Sequence, residues 1–155
     1  MKILVAKTAG FCFGVKRALD IAFRTARERR IGVYTLGPII HNPQVVRKLG
    51  EEGIVPIDSI DSKDDIKALI IRTHGIPLDI YGEILSRGYE IIDATCPFVK
   101  KAQYYAKLLN NEGYQVVILG EKNHPEVQSL MSYGGGETVV VDGRERLPKL
   151  RSKIG

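Results

Sequence analysis

Cysteine is scarce in this chain, with two among 155 residues, too few for the disulfide framework that staples small secreted folds. Long hydrophobic runs are missing as well. Only Ile3, Leu4, Val5 and Ala6 separate Lys2 from Lys7, too short a stretch for a signal peptide or a membrane span. A cytoplasmic protein with reduced thiols and no membrane partner is expected. No Gly-x-Gly-x-x-Gly or Walker sequence is present, so neither common nucleotide fingerprint applies. Cys12 and Cys96 stand far apart, unlike the short Cys-x-x-Cys pairs of structural zinc modules. Basic residues are not interleaved with aromatics and no nucleic-acid module signature occurs, so no nucleic-acid partner is expected. The excess charge of +5 gathers instead at Lys16, Arg17, Arg24, Arg27, Arg29 and Arg30, which reads first as the solvated face of one helix. An anionic small molecule stays open.

What is there is ordinary globular material. With 44% hydrophobic and 26% charged residues over this length, the chain can bury a core without staples, and disorder is excluded. One unit recurs. The apolar run Met1 to Ala6 reads as a strand, followed after a glycine-bearing turn by Val15, Ala18, Leu19, Ala22 and Ala26 at helical spacing. The pattern returns at Gly32 to Leu36 before Pro43 to Leu49, and at Ala68 to Arg72 before Pro77 to Ser86. It returns again at Glu90 to Ile92 before Pro97 to Asn110, and at Gln115 to Leu119 before Pro125 to Ser132. Prolines open these helices and Gly53, Gly88 and Gly113 follow several of them, the usual asymmetry of helix ends. Strands alternating with helices imply an α/β fold of small parallel sheets with crossover helices. The pattern restarts near Cys96-Pro97, which divides the chain into a first α/β domain over 1–96 and a second over 97–155, incomplete at its C-terminus.

The joints between strand and helix carry the chemistry. In an open α/β sheet ligands bind beyond the carboxyl ends of the strands, where the next helix offers free N–H groups and its positive dipole end. Both cysteines and all three histidines fall there, in Gly10-Phe11-Cys12-Phe13-Gly14, Gly37 to Pro43, Arg72 to Pro77, Ala94-Thr95-Cys96-Pro97 and Asn123-His124-Pro125-Glu126. If joints make up about a quarter of a chain, chance places five such residues there on the order of once in a thousand.

Each residue has a plainer reading beside the functional one. A lone cysteine is usually a small buried hydrophobe, and a histidine before a helix can cap it. Two cysteines at helix N-termini suit metal ligation or redox chemistry, because the positive end of the helix favours a thiolate. Three histidines at equivalent joints favour an anion, since imidazole N–H donors and helix N-termini both complement phosphate oxygens. Glu126 in a first helical turn can simply offset the dipole. Gly134-Gly135-Gly136 follows a helix and reads as a turn rather than a phosphate loop.

Five ordered motifs, Ala9-Gly10-Phe11-Cys12-Phe13-Gly14-Val15, Leu36 to Pro43, Arg72-Thr73-His74-Gly75, Asp93-Ala94-Thr95-Cys96-Pro97 and His124-Pro125-Glu126-Val127, resemble the LytB/IspH family, the 4-hydroxy-3-methylbut-2-enyl diphosphate reductases. The resemblance runs along the whole chain and covers roughly the first half of a family member. It implies two of three similar α/β domains around a central cluster. It also implies the last step of the non-mevalonate isoprenoid pathway, the two-electron reductive removal of a hydroxyl that yields isopentenyl and dimethylallyl diphosphates. Cys12 and Cys96 would then be two of three cysteine ligands to a 4Fe-4S cluster whose fourth iron binds the substrate hydroxyl. His41, His74 and His124 would hold the diphosphate of the allylic substrate, and Glu126 would help deliver a proton to the leaving hydroxyl. Electrons in the family come from ferredoxin or flavodoxin-type donors.

The third cysteine, a threonine pair and a Ser/Asn diphosphate motif of the family are absent, and Lys153-Ile154-Gly155 looks like a strand just beginning. The expectation is therefore an N-terminal part that needs the remaining C-terminal part and is inactive by itself. The other reading is a non-catalytic phosphate-binding or interaction module without a working cluster.

Overall fold

A computed structural model describes residues 1–7, 9–29 and 32–143. Among them stand α1 (Phe13–Glu28), β1 (Val33–Leu36), α2 (Pro43–Glu51), β2 (Val55–Ile57), β3 (Ala68–Ile71), α3 (Leu78–Ser86), β4 (Glu90–Asp93), α4 (Pro97–Asn111), β5 (Val117–Leu119), α5 (Pro125–Gly134) and β6 (Val139–Val141). The fold is α/β, with a four-stranded parallel sheet ordered β2-β1-β3-β4 and a two-stranded parallel sheet of β5 and β6.

The larger sheet is covered on both faces, and strand β3 shows why its sequence is apolar throughout. Ala68 and Ile70 face a core built with Ala18, Leu19, Ala22 and Ala26 of α1 and Leu49 of α2. Leu69 and Ile71 face the opposite core with Ile57, Ile66, Ile76 and Ile84. A parallel strand buried on both sides needs an unbroken apolar run instead of alternation. Each fully buried Ile or Leu here contributes about 1.5–3 kcal/mol. The alanines of α1 leave little bulk between that helix and the sheet, which brings its N-terminus close to the sheet's carboxyl edge. In the second half, α4 and α5 pack on each other, with Gln103 of α4 bonded to Ser129 of α5, and Val99, Ala106 and Val127 are buried on the same two helices.

Three expectations change. Met1 to Ala6 forms no strand, and Ile3, Leu4 and Val5 are 73%, 79% and 79% exposed. Neither edge of the sheet, β2 or β4, takes this segment as a neighbour, and an apolar run without a ladder partner cannot hold strand geometry. Strands β2 and β6 were not anticipated. The basic cluster is not one solvated face either, because Arg17 turns inward onto the carbonyls of Thr95 and Asp93. Arg29, just past the helix, forms an ion pair with Glu90, and Arg30 lies outside the described residues. So does the strand expected at Lys153 to Gly155. No helix among the described residues is long and apolar enough to cross a membrane.

Candidate functional site

Strand order places a crevice between β1 and β3. From β1 the chain moves outward to β2, then crosses back to β3 on the other side and continues outward to β4, so the loops after β1 and β3 diverge at the topological switch point where such sheets bind ligands. His41 stands in the first of these loops and His74 in the second. His124 arrives from the second sheet, as the residue that caps α5. Ring centroids lie 4.9 Å apart for His41 and His74, 5.4 Å for His74 and His124, and 6.5 Å for His41 and His124. One nitrogen from each ring falls within 4.8 Å of the others. A hollow of about 400 Å³ lined by Pro38, Ile40, His41, Asn42, Pro43 and Val46 adjoins the cluster. A hollow of about 560 Å³ between α3 and α5 touches none of the histidines or cysteines.

The helix-capping reading and the cluster coexist at His124. Its Nδ1 accepts the backbone N–H of Glu126 at 3.3 Å, which leaves the proton on Nε2 as a donor. His41 caps nothing, because Asn42 performs that task for α2 through bonds from Gln44 and Val45. His74 is held well below the ordinary imidazole value of 6.5, at about 4, by burial first and then by His41, Arg72 and His124. At neutral pH it is an uncharged donor and acceptor.

Arg72 supplies the fixed charge. Its guanidinium lies against Gly37, where a Cβ would stand 2.6 Å from Nη1 and the backbone φ is +70°, so a side chain at Gly37 would meet both strain and Arg72. No carboxylate pairs with Arg72 among the described residues, and its buried Nε has no partner. Three imidazoles at this spacing could take either a divalent metal or an anion. An unneutralised guanidinium beside them weighs toward the anion.

A pH effect follows with a definite sign. A histidine whose folded value is lowered favours the unfolded chain as protons are added, so stability falls between about pH 6.5 and about pH 4 and then levels. Thermal melts across that range check this. Arg72→Met should shift the titration of His74 upward in NMR while leaving it below the ordinary value, because burial is the larger cause.

The cysteines occupy matching positions on two other elements. Cys12 is the N-cap residue of α1 and Cys96 that of α4, and neither side chain accepts a capping bond. Cys12 is exposed and Cys96 half-buried. The first turn of α1 meets Cys96 through Gly14, where a Cβ would stand 2.5 Å from the Cys96 Sγ. Only glycine leaves that sulfur room. Arg17, one turn further along α1, donates to the Thr95 carbonyl at 3.1 Å and the Asp93 carbonyl at 3.4 Å. Burial works against ionisation of Asp93, but bonds from Lys100 at 2.6 Å and the Thr95 N–H at 2.9 Å outweigh it and hold the carboxyl below its usual range. Two sulfurs at adjoining helix N-termini fit a metal cluster as part of its ligand set, since iron–sulfur clusters are held by thiolates in greater number than two.

Glu126 sits half-buried in the first turn of α5, two residues after His124, and stands outside the three-imidazole cluster. No sequence signal marks Arg72, Thr73, Gln103 or Ser129 as individuals. Arg72 and Thr73 lie within a joint motif, whereas Gln103 and Ser129 are polar residues at buried helix positions that only packing reveals.

A sequence profile of the LytB protein family matches residues 3–154. The 4-hydroxy-3-methylbut-2-enyl diphosphate reductase of Syntrophotalea carbinolica is 55% identical over 159 residues, covering 100% of this chain and 56% of that protein. The one from Citrifermentans bemidjiense is 48% identical over 160 residues, covering 100% and 55%. The chain thus spans about half the length of the curated relatives it matches. A solved (E)-4-hydroxy-3-methyl-but-2-enyl diphosphate reductase, described as the terminal enzyme of the non-mevalonate pathway, superposes with a TM-score of 0.82 at 44% identity, over 95% of this chain and 53% of that one. The Plasmodium falciparum reductase structure superposes at 0.88 with 31% identity, over 92% and 45%. Sequence match along nearly the whole chain and agreement of fold at these identities lead to one conclusion: the chain belongs to the LytB family.

Proposed function

We propose that this chain is the N-terminal part of a reductase that converts 4-hydroxy-3-methylbut-2-enyl diphosphate to isopentenyl and dimethylallyl diphosphates. The observation that carries the reading is the convergence of His41, His74 and His124 at the sheet's switch point, beside a guanidinium that no carboxylate pairs with among the described residues. The three histidines bind the diphosphate through their ring N–H groups, with the Nε2–H of His124 directed by its capping bond. Arg72 adds a fixed positive charge beside the uncharged His74. Glu126 helps deliver a proton to the leaving hydroxyl oxygen, which departs as water.

Cys12 and Cys96 are two of the thiolates that hold a 4Fe-4S cluster, and a third comes from outside these 155 residues, which contain two cysteines. Such a cluster, when bound, supplies the one-electron transfers that no side chain performs. A ferredoxin or flavodoxin-type donor, the rest of a reductase chain and a cytoplasmic location belong to the same reading. So does a division of the chain near Cys96, which lies between the last strand of the larger sheet and the helix that opens the second half.

Binding of inorganic pyrophosphate tests the anion site. An anion beside His74 raises its proton affinity, so binding takes up protons and strengthens as pH falls toward about 4, where His74 charges in the free protein. Calorimetry in buffers of different ionisation enthalpy reads the uptake, and absence of binding or net proton release overturns the anion reading. Anaerobic reconstitution tests the cysteines. With two thiolates the chain alone should lose its iron on desalting, whereas in a reductase that includes this sequence iron and sulfide should be retained and lost again in Cys12→Ser. Retention in that variant would remove Cys12 from the ligand set, and a complete reductase that never held iron would favour the non-catalytic module.

A further inference from the structure

The three imidazoles come from three separate segments and make no hydrogen bonds with one another, so something else holds them at their spacing. Two buried hydroxyls meet that need. Thr73 Oγ1 donates to the Ile39 carbonyl at 3.1 Å, and its backbone N–H reaches the same oxygen at 3.4 Å. That ties the residue before His74 to the residue two before His41. On the other side of the turn, Ser129 Oγ donates to the Ile76 carbonyl at 3.0 Å. Ser129 belongs to α5, the helix that His124 caps, so this bond ties the His74 turn to the element that carries His124.

The Ser129 hydroxyl is oriented by its surroundings. Ser129 Oγ accepts from Gln103 Nε2 at 2.8 Å, which leaves its own proton for Ile76. Gln103 stands on α4 two turns beyond Cys96, and the Cys96 N–H donates to the Thr73 carbonyl at 2.9 Å. The cysteine joint is thereby drawn into the same network. Between the two ties the chain reverses at Gly75, where a Cβ would lie 2.5 Å from Gln103 Nε2 and 3.0 Å from Ser129 Oγ.

A helix-stability argument does not account for Ser129. At 0% exposure in the interior of α5, alanine would suit the helix better, and serine there imposes a polar group that must be satisfied. The contrast with Thr25 is informative, since that buried hydroxyl bonds only to Ile21 one turn back in its own helix. Thr73 and Ser129 instead join segments 34 and 53 residues apart. We propose that Thr73 and Ser129, the latter oriented by Gln103, are positioning residues that lock the His74 turn to the elements carrying His41 and His124 and so set the geometry of the three-histidine site. The effect expected on anion affinity rests on the anion reading given above; the effect on ring geometry does not.

The test compares Thr73→Val, Ser129→Ala and their double variant with Thr73→Ser, which keeps the hydroxyl. The affinity for inorganic pyrophosphate is measured by calorimetry well below the melting temperature, together with the imidazole ring resonances by NMR. The double variant should bind about 10-fold more weakly or worse, with the His74 ring resonances displaced, while Thr73→Ser stays within about 2-fold. A folded double variant that binds within about 2-fold of the parent overturns the proposal, and so does a loss of the same size in Thr73→Ser. If the double variant does not fold, Gln103→Met is read in its place, with an expected loss of about 3-fold and with unchanged affinity as the contrary result. If the parent itself fails to bind pyrophosphate, the anion reading falls separately. The positioning claim is then decided by the ring resonances, which must move in the variants and return in Thr73→Ser.

Discussion

Replacing Glu126 by Gln in a cluster-loaded LytB reductase that includes this sequence should lower kcat at least about 100-fold while the substrate still binds. Removing a hydroxyl as water requires a proton at the departing oxygen, and the amide of Gln cannot supply one. General acid catalysis contributes about 10²–10⁴-fold in well-placed cases. The competing account starts from the position of Glu126 in the first turn of α5, where a carboxylate offsets the helix dipole by about 0.3–1 kcal/mol. On that account turnover survives and only the melting temperature moves slightly. Paired measurements of kcat and Tm separate the two, and near-normal turnover with a small melting shift assigns the residue to the helix.

Gly75→Ala should be strongly destabilising, through both backbone strain and a buried clash. The backbone φ of +72° costs a non-glycine residue about 1–2 kcal/mol. The new Cβ also lies 2.5 Å from Gln103 Nε2 and 3.0 Å from Ser129 Oγ, both buried and hydrogen-bonded, and overpacking of that kind costs about 1–3 kcal/mol. For a chain of this size a total of about 2–5 kcal/mol corresponds to a fall in Tm of about 4–20 °C. Calorimetric melts of the two proteins measure it. A fall below about 2 °C would mean that α4 and α5 yield easily at this point.

Legibility in the sequence followed a single template, a strand followed by a helix. Wherever that template applied, the element was visible, because prolines open α2, α4 and α5 and apolar periodicity marks their buried faces. Strand β2 escaped because it holds three residues with Pro56 at the centre and passes to β3 without a helix between them. A proline is tolerated there because β2 is an edge strand. The opposite error at Met1 to Ala6 has the same origin, since an apolar run reveals the tendency to pair but not whether a partner is present.

By itself the sequence determined the α/β class and most of the residues that line the carboxyl edge, because the local alternation of periods and the helix-end residues place His41, His74, Cys96 and His124 at strand-to-helix joints whatever the order of the strands, whereas Cys12 stands only at the N-terminus of α1, with no strand before it. Tertiary structure alone decided which joints meet. The strand order put β1 beside β3 and so His41 beside His74, and the packing of α4 on α5 brought His124 to them. The roles of Arg72, Thr73, Gln103 and Ser129 arise at that level too. Their partners lie far along the chain or in the space between elements, and contacts of that kind leave no period in the sequence from which they could be read.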